Sequence, residues 1–182
     1  MQVRTQSISR AEGAFLDIDL EISQEMLPIA FEGYVFKDHL TLKGKLVNEG
    51  NRLYRLSATL HVNFEGACAR CLEPVRTGLD IDIREIFAPA GHEYLERLSK
   101  QAEETHVPDE SIYEYQGHII DFEQAVRDNI VLALPPRIVC RSQCKGLCPT
   151  CGQNLNHKQC DCSVDNPDEK VKSPFDRLKE LL

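Results

Sequence analysis

The stretch that decides the fold runs from residue 29 to residue 64: IAFEGYVF (29–36), HLTLKGKLV (39–47) and RLYRLSATLHVNF (52–64). These blocks are rich in β-branched and aromatic residues. They alternate apolar and polar side chains at period two, the pattern of strands with one face buried and the other wet. Between them stand Lys37-Asp38 and Asn48-Glu49-Gly50-Asn51, both suited to tight turns, so the reading is three strands joined by two hairpins. Working outward, residues 15–26 (FLDIDLEISQEM) alternate apolar and acidic side chains and read as a short strand or edge coil. Residues 75–87 (VRTGLDIDIREIF) resume the strand pattern at Leu79, Ile81, Ile83 and Phe87. The expectation is an antiparallel β-meander of four or five strands, or a partly closed barrel. Cys68-Ala69-Arg70-Cys71 falls at the turn between its last two strands.

Residues 111–115 (SIYEY) read as a returning strand. Asp121 then offers a helix N-cap or first-turn acid. Phe122, Ala125, Val126, Ile130 and Leu134 follow at three- and four-residue spacing, which gives one apolar helix face. Pro135-Pro136 stops that helix. The fold class is therefore α+β, a meander packed with one amphipathic helix. Residues 89–110 read as a mobile acidic insertion, and residues 175–182 as a short terminal helix with Phe175, Leu178, Leu181 and Leu182 on its apolar side. Two parts follow: an α+β domain over 1–135 and a cysteine-rich module over 136–182.

Apolar residues make up 42% of the 182, enough for a core. The net charge of −8 is uneven, with ten acidic and three basic side chains between residues 89 and 134, and eight basic and six acidic from 135 onward. An acidic chain does not attract a phosphate backbone by its overall field, so contact with nucleic acid has to be local or carried by a partner. Residues 1–10 (MQVRTQSISR) lack the apolar stretch of a signal peptide, and no run approaches membrane-spanning length. The expectation is a cytoplasmic protein with no membrane partner. Thiols stay reduced in that compartment, so clustered cysteines read as metal ligands rather than disulfides.

The eight cysteines form four close pairs: Cys68/Cys71, Cys140/Cys144, Cys148/Cys151 and Cys160/Cys162. Four pairs suit two tetrahedral four-thiolate zinc sites. The Cys148-Pro149-Thr150-Cys151-Gly152 turn is a zinc knuckle, with glycine supplying the positive φ after the second cysteine. Cys160-Asp161-Cys162 follows after a short loop and completes site one. His157 is a substitute ligand, whereas His39, His61, His92, His106 and His118 stand isolated. Site two then takes Cys68, Cys71, Cys140 and Cys144 and clamps the sheet's turn to the segment after the helix. The alternative joins Cys140 and Cys144 to the C-terminal cluster and leaves Cys68 and Cys71 free of metal. Without metal, the 140–162 segment has few apolar residues to hold it in place.

Catalysis finds little support. A thioredoxin-type pair sits at a helix N-terminus, whereas Cys68 and Cys71 lie in a β-turn. All-cysteine zinc sites are closed, and catalytic zinc keeps an open position. The chain has no Gly-rich phosphate loop, no nucleophile elbow and no H-E-x-x-H, so no small-molecule substrate is expected. Arg70, Arg76, Arg137, Arg141 and Lys145 cluster in sequence around the cysteine pairs and are the candidates for nucleic-acid or partner binding.

Cys68-Ala69-Arg70-Cys71-Leu72-Glu73-Pro74, the Ala133-Leu134-Pro135 helix ending and GLCPTCGQNLN (146–156) carry a resemblance. The chain resembles the YceD family, the large ribosomal RNA subunit accumulation proteins, over nearly its whole length, and is similar to its zinc-bearing, Gram-positive-type members. The resemblance implies a non-enzymatic ribosome-assembly factor that supports accumulation or processing of 23S rRNA. Its partner would be the large-subunit rRNA precursor or an early large-subunit ribosomal protein. Some relatives keep the upstream cysteine pair but lack most of the C-terminal ones. A second function class is a redox-switched zinc chaperone, which releases metal on oxidation and exposes a client surface.

Overall fold

The computed structural model describes residues 1–23, 27, 33–92 and 111–162. Residues 29–32 of the first quoted block, most of the expected acidic insertion and the expected terminal helix lie outside the described residues. Among the described residues the chain is mostly strand, with one helix: β1 (Gln2–Arg4), β2 (Phe15–Ile22), β3 (Tyr34–Gly50), β4 (Leu53–Ala67), β5 (Pro74–Pro89), β6 (Ile112–Tyr115), β7 (Ile119–Asp121) and α1 (Glu123–Ala133).

Strands β2 to β6 form one five-stranded sheet in chain order, and β1 pairs with β7 in a separate ribbon. From β2 to β5 every pairing is antiparallel, the expected meander. The sheet is open, and the barrel form of the expectation does not appear among the described strands. β6 runs parallel to β5, with Ile86 opposite Ile112 and Pro89 opposite Tyr115. A parallel neighbour needs a long crossover, and the connection from residue 90 to 111 is long enough to supply it.

One expectation is corrected. Lys37-Asp38 is not a hairpin: β3 runs through it, and the register with β4 slips between Lys37 and Thr41. Asp38 takes a positive φ of 63° there, the signature of a β-bulge. The true turn joins Gly50 to Leu53, with Asn51 and Arg52 both at positive φ. It matches the second expected break.

The core lies on one face of the meander. Leu42, Leu46, Leu56, Leu60, Val62 and Ile83 are fully buried, with Leu42 opposite Leu60 and Leu60 opposite Ile81. Gly44 stands in this inward row. A side chain there would meet the Ser57 carbonyl at 2.2 Å, so only glycine lets β3 and β4 approach so closely. The outward face is polar: Lys43 pairs with Asp19 at 3.4 Å, and His61 Nδ1 lies 2.6 Å from the Asp80 carboxylate. Helix α1 covers the inner face near β5. Phe122, Ala125, Val126 and Ile130 are buried, and Phe122 packs edge-on against Phe87 at 5.4 Å. Asp121 sits just before the helix and accepts the Glu123 N–H at 3.0 Å.

Candidate metal centres

The turn between β4 and β5 is built to hold two sulfurs inward. Cys68 N–H donates to Glu73 O at 2.8 Å and Leu72 N–H to Cys68 O at 3.0 Å, which closes the loop over residues 68–73. Leu72 takes a φ of 62°, an uncommon conformation for a bulky side chain, and projects into solvent. Cys68 and Cys71 are buried beneath it. The chain after α1 returns across the end of the sheet: Ala69 N–H donates to Ile138 O at 2.8 Å. Gly66 makes room for this return, because a Cβ there would lie 2.8 Å from Ile138 Cδ1 and 2.8 Å from Gly33 O.

That path brings Cys140 and Cys144 to Cys68 and Cys71, with all four sulfurs within 4.8 Å of one another. Cys68 Sγ is 3.9 Å from Cys144 Sγ, and Cys71 Sγ is 3.7 Å from Cys140 Sγ. A tetrahedron with zinc–sulfur bonds of about 2.3 Å has sulfur–sulfur edges of about 3.8 Å. The separations fit that ion, and all eight cysteines are free thiols rather than disulfides. Burial alone would raise the Cys68 thiol, but the amides of Cys140 and Arg70 point at it and hold it at about 6. The Glu73 amide draws Cys71 down, yet burial and the neighbouring sulfurs outweigh it and push that thiol up to about 12. Burial raises Cys140 too, whereas the Asn156 amide, donating to Cys144 Sγ at 3.3 Å, lowers Cys144. Crowded sulfurs of this kind cannot all ionise without a cation between them.

The second cluster is local. Leu147 and Asn154 form an antiparallel bridge, Cys148 N–H donates to Gln153 O at 2.8 Å, and Gly152 N–H returns to Cys148 O at 2.9 Å. Gly152 takes the positive φ, 72°, that the knuckle sequence called for. The sulfurs of Cys148, Cys151, Cys160 and Cys162 also lie within 4.8 Å of one another. Backbone amides of Cys151 and Thr150 bring Cys148 down to about 6, while the Cys151 sulfur and burial push Cys162 up to about 12. His157, the alternative ligand, instead directs Nε2 at the Glu73 carboxylate.

The five basic candidates are all exposed but differ in what they touch. Arg70 braces the cysteine loop: its guanidinium donates to Cys144 O at 3.0 Å, and its own carbonyl accepts the Leu147 N–H at 3.1 Å. Arg76 is engaged by Glu65 at 2.7 Å. Arg141 lies close enough to Glu73 to help the His157 contact hold that carboxyl below its ordinary range. Arg137 immediately precedes Ile138, and Lys145 follows Cys144. Sequence reasoning missed Glu73, Asn154 and Asn156, which tie the two clusters and the sheet together. The only signal for the asparagines was their place in the GLCPTCGQNLN run, two and four residues beyond the knuckle glycine.

An open, mainly antiparallel sheet with one helix among the described residues, carrying two four-cysteine clusters at one end, defines a β-rich protein with a candidate double metal centre. The sequence profile described as Large ribosomal RNA subunit accumulation protein YceD matches residues 56–182, and the chain belongs to that family. Among curated relatives, an uncharacterized protein of Mycobacterium tuberculosis is 34% identical over 116 residues, 64% of this chain and 50% of the relative. The chloroplastic Large ribosomal RNA subunit accumulation protein YCED homolog 1 of Arabidopsis thaliana is 39% identical over 63 residues, 35% of this chain and 19% of the relative. An uncharacterized protein of Mycobacterium leprae is 31% identical over 88 residues, 48% of this chain and 36% of the relative. The chain spans about half the length of the Mycobacterium tuberculosis relative it matches. No solved structure matches it significantly. Among the described residues no helix is long and apolar enough to cross a membrane.

Proposed function

We propose that this protein is a non-enzymatic, cytoplasmic ribosome-assembly factor that supports accumulation and processing of 23S rRNA. The observation behind this reading is the family match over residues 56–182, which takes in all eight cysteines and the basic residues between them. Each cysteine cluster takes one Zn²⁺, with Cys148, Cys151, Cys160 and Cys162 in site one and Cys68, Cys71, Cys140 and Cys144 in site two. The role of the metal is structural, since four thiolates leave no open position for a substrate. It fixes the 138–162 segment, poor in apolar side chains, against the end of the sheet, so that the chain divides into a 1–135 domain and a 136–182 module.

The zinc-organised surface is the binding face. Arg137, Arg141 and Lys145 lie on it, with Arg70 holding the loop and Arg76 on the adjoining strand, and the large-subunit rRNA precursor is the partner that such a local basic surface suits. Removal of the protein from its host is the test. Mature 23S rRNA should fall, its unprocessed precursor should rise, and the protein should co-sediment with large-subunit precursors. Normal 23S rRNA levels and sedimentation only with free protein would overturn the reading.

A further inference from the structure

Resting on that zinc reading, we infer that the two metal centres load as a coupled pair and that Asn156 is the positioning residue that couples them. Asn156 belongs to the loop between Cys151 and Cys160, whose two ends a metal in the knuckle cluster would join. Its side chain, however, serves the other centre. Nδ2 donates to Cys144 Sγ at 3.3 Å, and Oδ1 accepts the Lys145 N–H at 2.9 Å, so one amide fixes both the sulfur and the backbone beside it. The residue is itself held: its N–H and its Nδ2 both donate to Asn154 Oδ1 at 2.9 Å. Leu155 N–H meanwhile reaches Gly146 O at 2.9 Å.

The consequence is thermodynamic. A metal in the knuckle cluster shortens the 148–162 loop and presents Asn156 to Cys144, which removes part of the ordering cost of the clamp cluster. A metal in the clamp fixes residues 144–147 and so preforms the start of the knuckle hairpin. Whatever factor the first ion contributes to the second must be returned in the reverse order of loading, because binding free energies are reciprocal. The Nδ2 contact is made to a candidate ligand sulfur itself, so it acts on the metal site and not on the fold alone.

The test is a double-mutant cycle on the full-length chain, with Co²⁺ and Zn²⁺ as probes and a chromophoric chelator as competitor. The four proteins are wild type, Asn156→Asp, Cys160→Ser with Cys162→Ser, and all three changes together. A Cys68→Ser/Cys71→Ser chain assigns the cobalt–thiolate bands to the two sites. Asn156→Asp keeps an oxygen for the Lys145 amide and removes the donor to Cys144, so it should weaken the clamp site about 10- to 100-fold and shift its cobalt band. The knuckle band should keep its shape. In the chain lacking Cys160 and Cys162 the same change should cost several-fold less. Asn156→Ser, which restores a donor, should recover part of the affinity. Unchanged clamp affinity in Asn156→Asp, or an equal drop with and without the knuckle cysteines, would overturn the inference. Failure of the wild type to bind two ions would overturn instead the zinc reading beneath it.

Discussion

Cys68, just beyond the end of β4, and Cys144, in the loop beyond the helix, are 76 positions apart in the chain, yet their sulfurs lie 3.9 Å apart in a buried cluster. Few apolar contacts enforce this juxtaposition: among the described residues, Val75 and Leu147 are the partly buried hydrophobics packed against the cluster. Backbone hydrogen bonds from residues 69 and 147, the Arg70 guanidinium on the Cys144 carbonyl and the Cys140 amide on Cys68 Sγ span it, and the proposed metal would add its own bonds to these.

Metal removal should therefore act locally before it acts globally. Structural zinc in finger peptides supplies roughly 10–16 kcal/mol, and the 138–162 segment has little else. Chelation should abolish hydrogen-exchange protection at the amides of Ala69, Leu147, Cys148 and Leu155 while the centre of β4 stays protected. Protection that persists at those four amides after full chelation would rule out metal as the tie between segment and sheet.

Acidification should release the ions, and the sign follows from the sulfurs. Zinc binds thiolates, so each thiol that holds a proton must lose it on loading, and affinity falls as pH falls. Cys68 and Cys148, held at about 6 by backbone amides, are the last to take up protons. Chelator competition between pH 8 and pH 6 should show steadily weaker zinc binding as the solution becomes more acid. Affinity independent of pH across that range would count against thiolate ligation.

The close approach at Gly66 gives a prediction that needs no metal assay. Gly66→Ala places a Cβ 2.8 Å from both Gly33 O and Ile138 Cδ1, so the backbone at Gly33 and the Ile138 side chain must give way. Overpacking of this kind costs about 1–3 kcal/mol. Urea unfolding should register that decrease, with a weakened clamp site beside an unaffected knuckle. Leu60→Ala, at a fully buried position in the middle of the meander, should cost more, about 2–5 kcal/mol, and leave both metal sites in place.

RNA binding should depend on the exposed basic side chains that brace no loop. Arg141→Glu with Lys145→Glu should weaken binding to 23S rRNA fragments and flatten its salt dependence, since every phosphate left unneutralised lowers that slope by about one. Arg70 is a poorer probe, because its guanidinium holds the Cys144 carbonyl and its removal perturbs the loop as well. Equal affinity for random RNA, unaltered by the double change, would remove direct RNA recognition.

Much of this architecture was legible in the sequence, for identifiable reasons. Alternation along residues 53–64 and 75–87 marks the inward faces of β4 and β5, because period two is a local property. The helix stripe from Phe122 to Ile130 is local in the same sense. Lys37-Asp38 misled because residues that tolerate positive φ serve a bulge as readily as a hairpin, and only pairing with β4 decides between them. The parallel direction of β6 is a tertiary outcome that SIYEY does not encode. The three-residue strands β1 and β7 are too short to carry any periodic signal. At the cluster, the cysteine spacing supplied the two groupings of four thiols, whereas Asn156 and the Glu73–His157 contact depend on chain segments that meet only in the folded state.

The clamp requires Cys68 and Cys71 to share an ion with Cys140 and Cys144. Native mass spectrometry of the full-length protein, with zinc counted per chain, reads this out without any intermediate assumption. Two ions are expected in the wild type and one after Cys68→Ser with Cys71→Ser. One ion in the wild type, or a count unchanged by that double substitution, would refute the shared site.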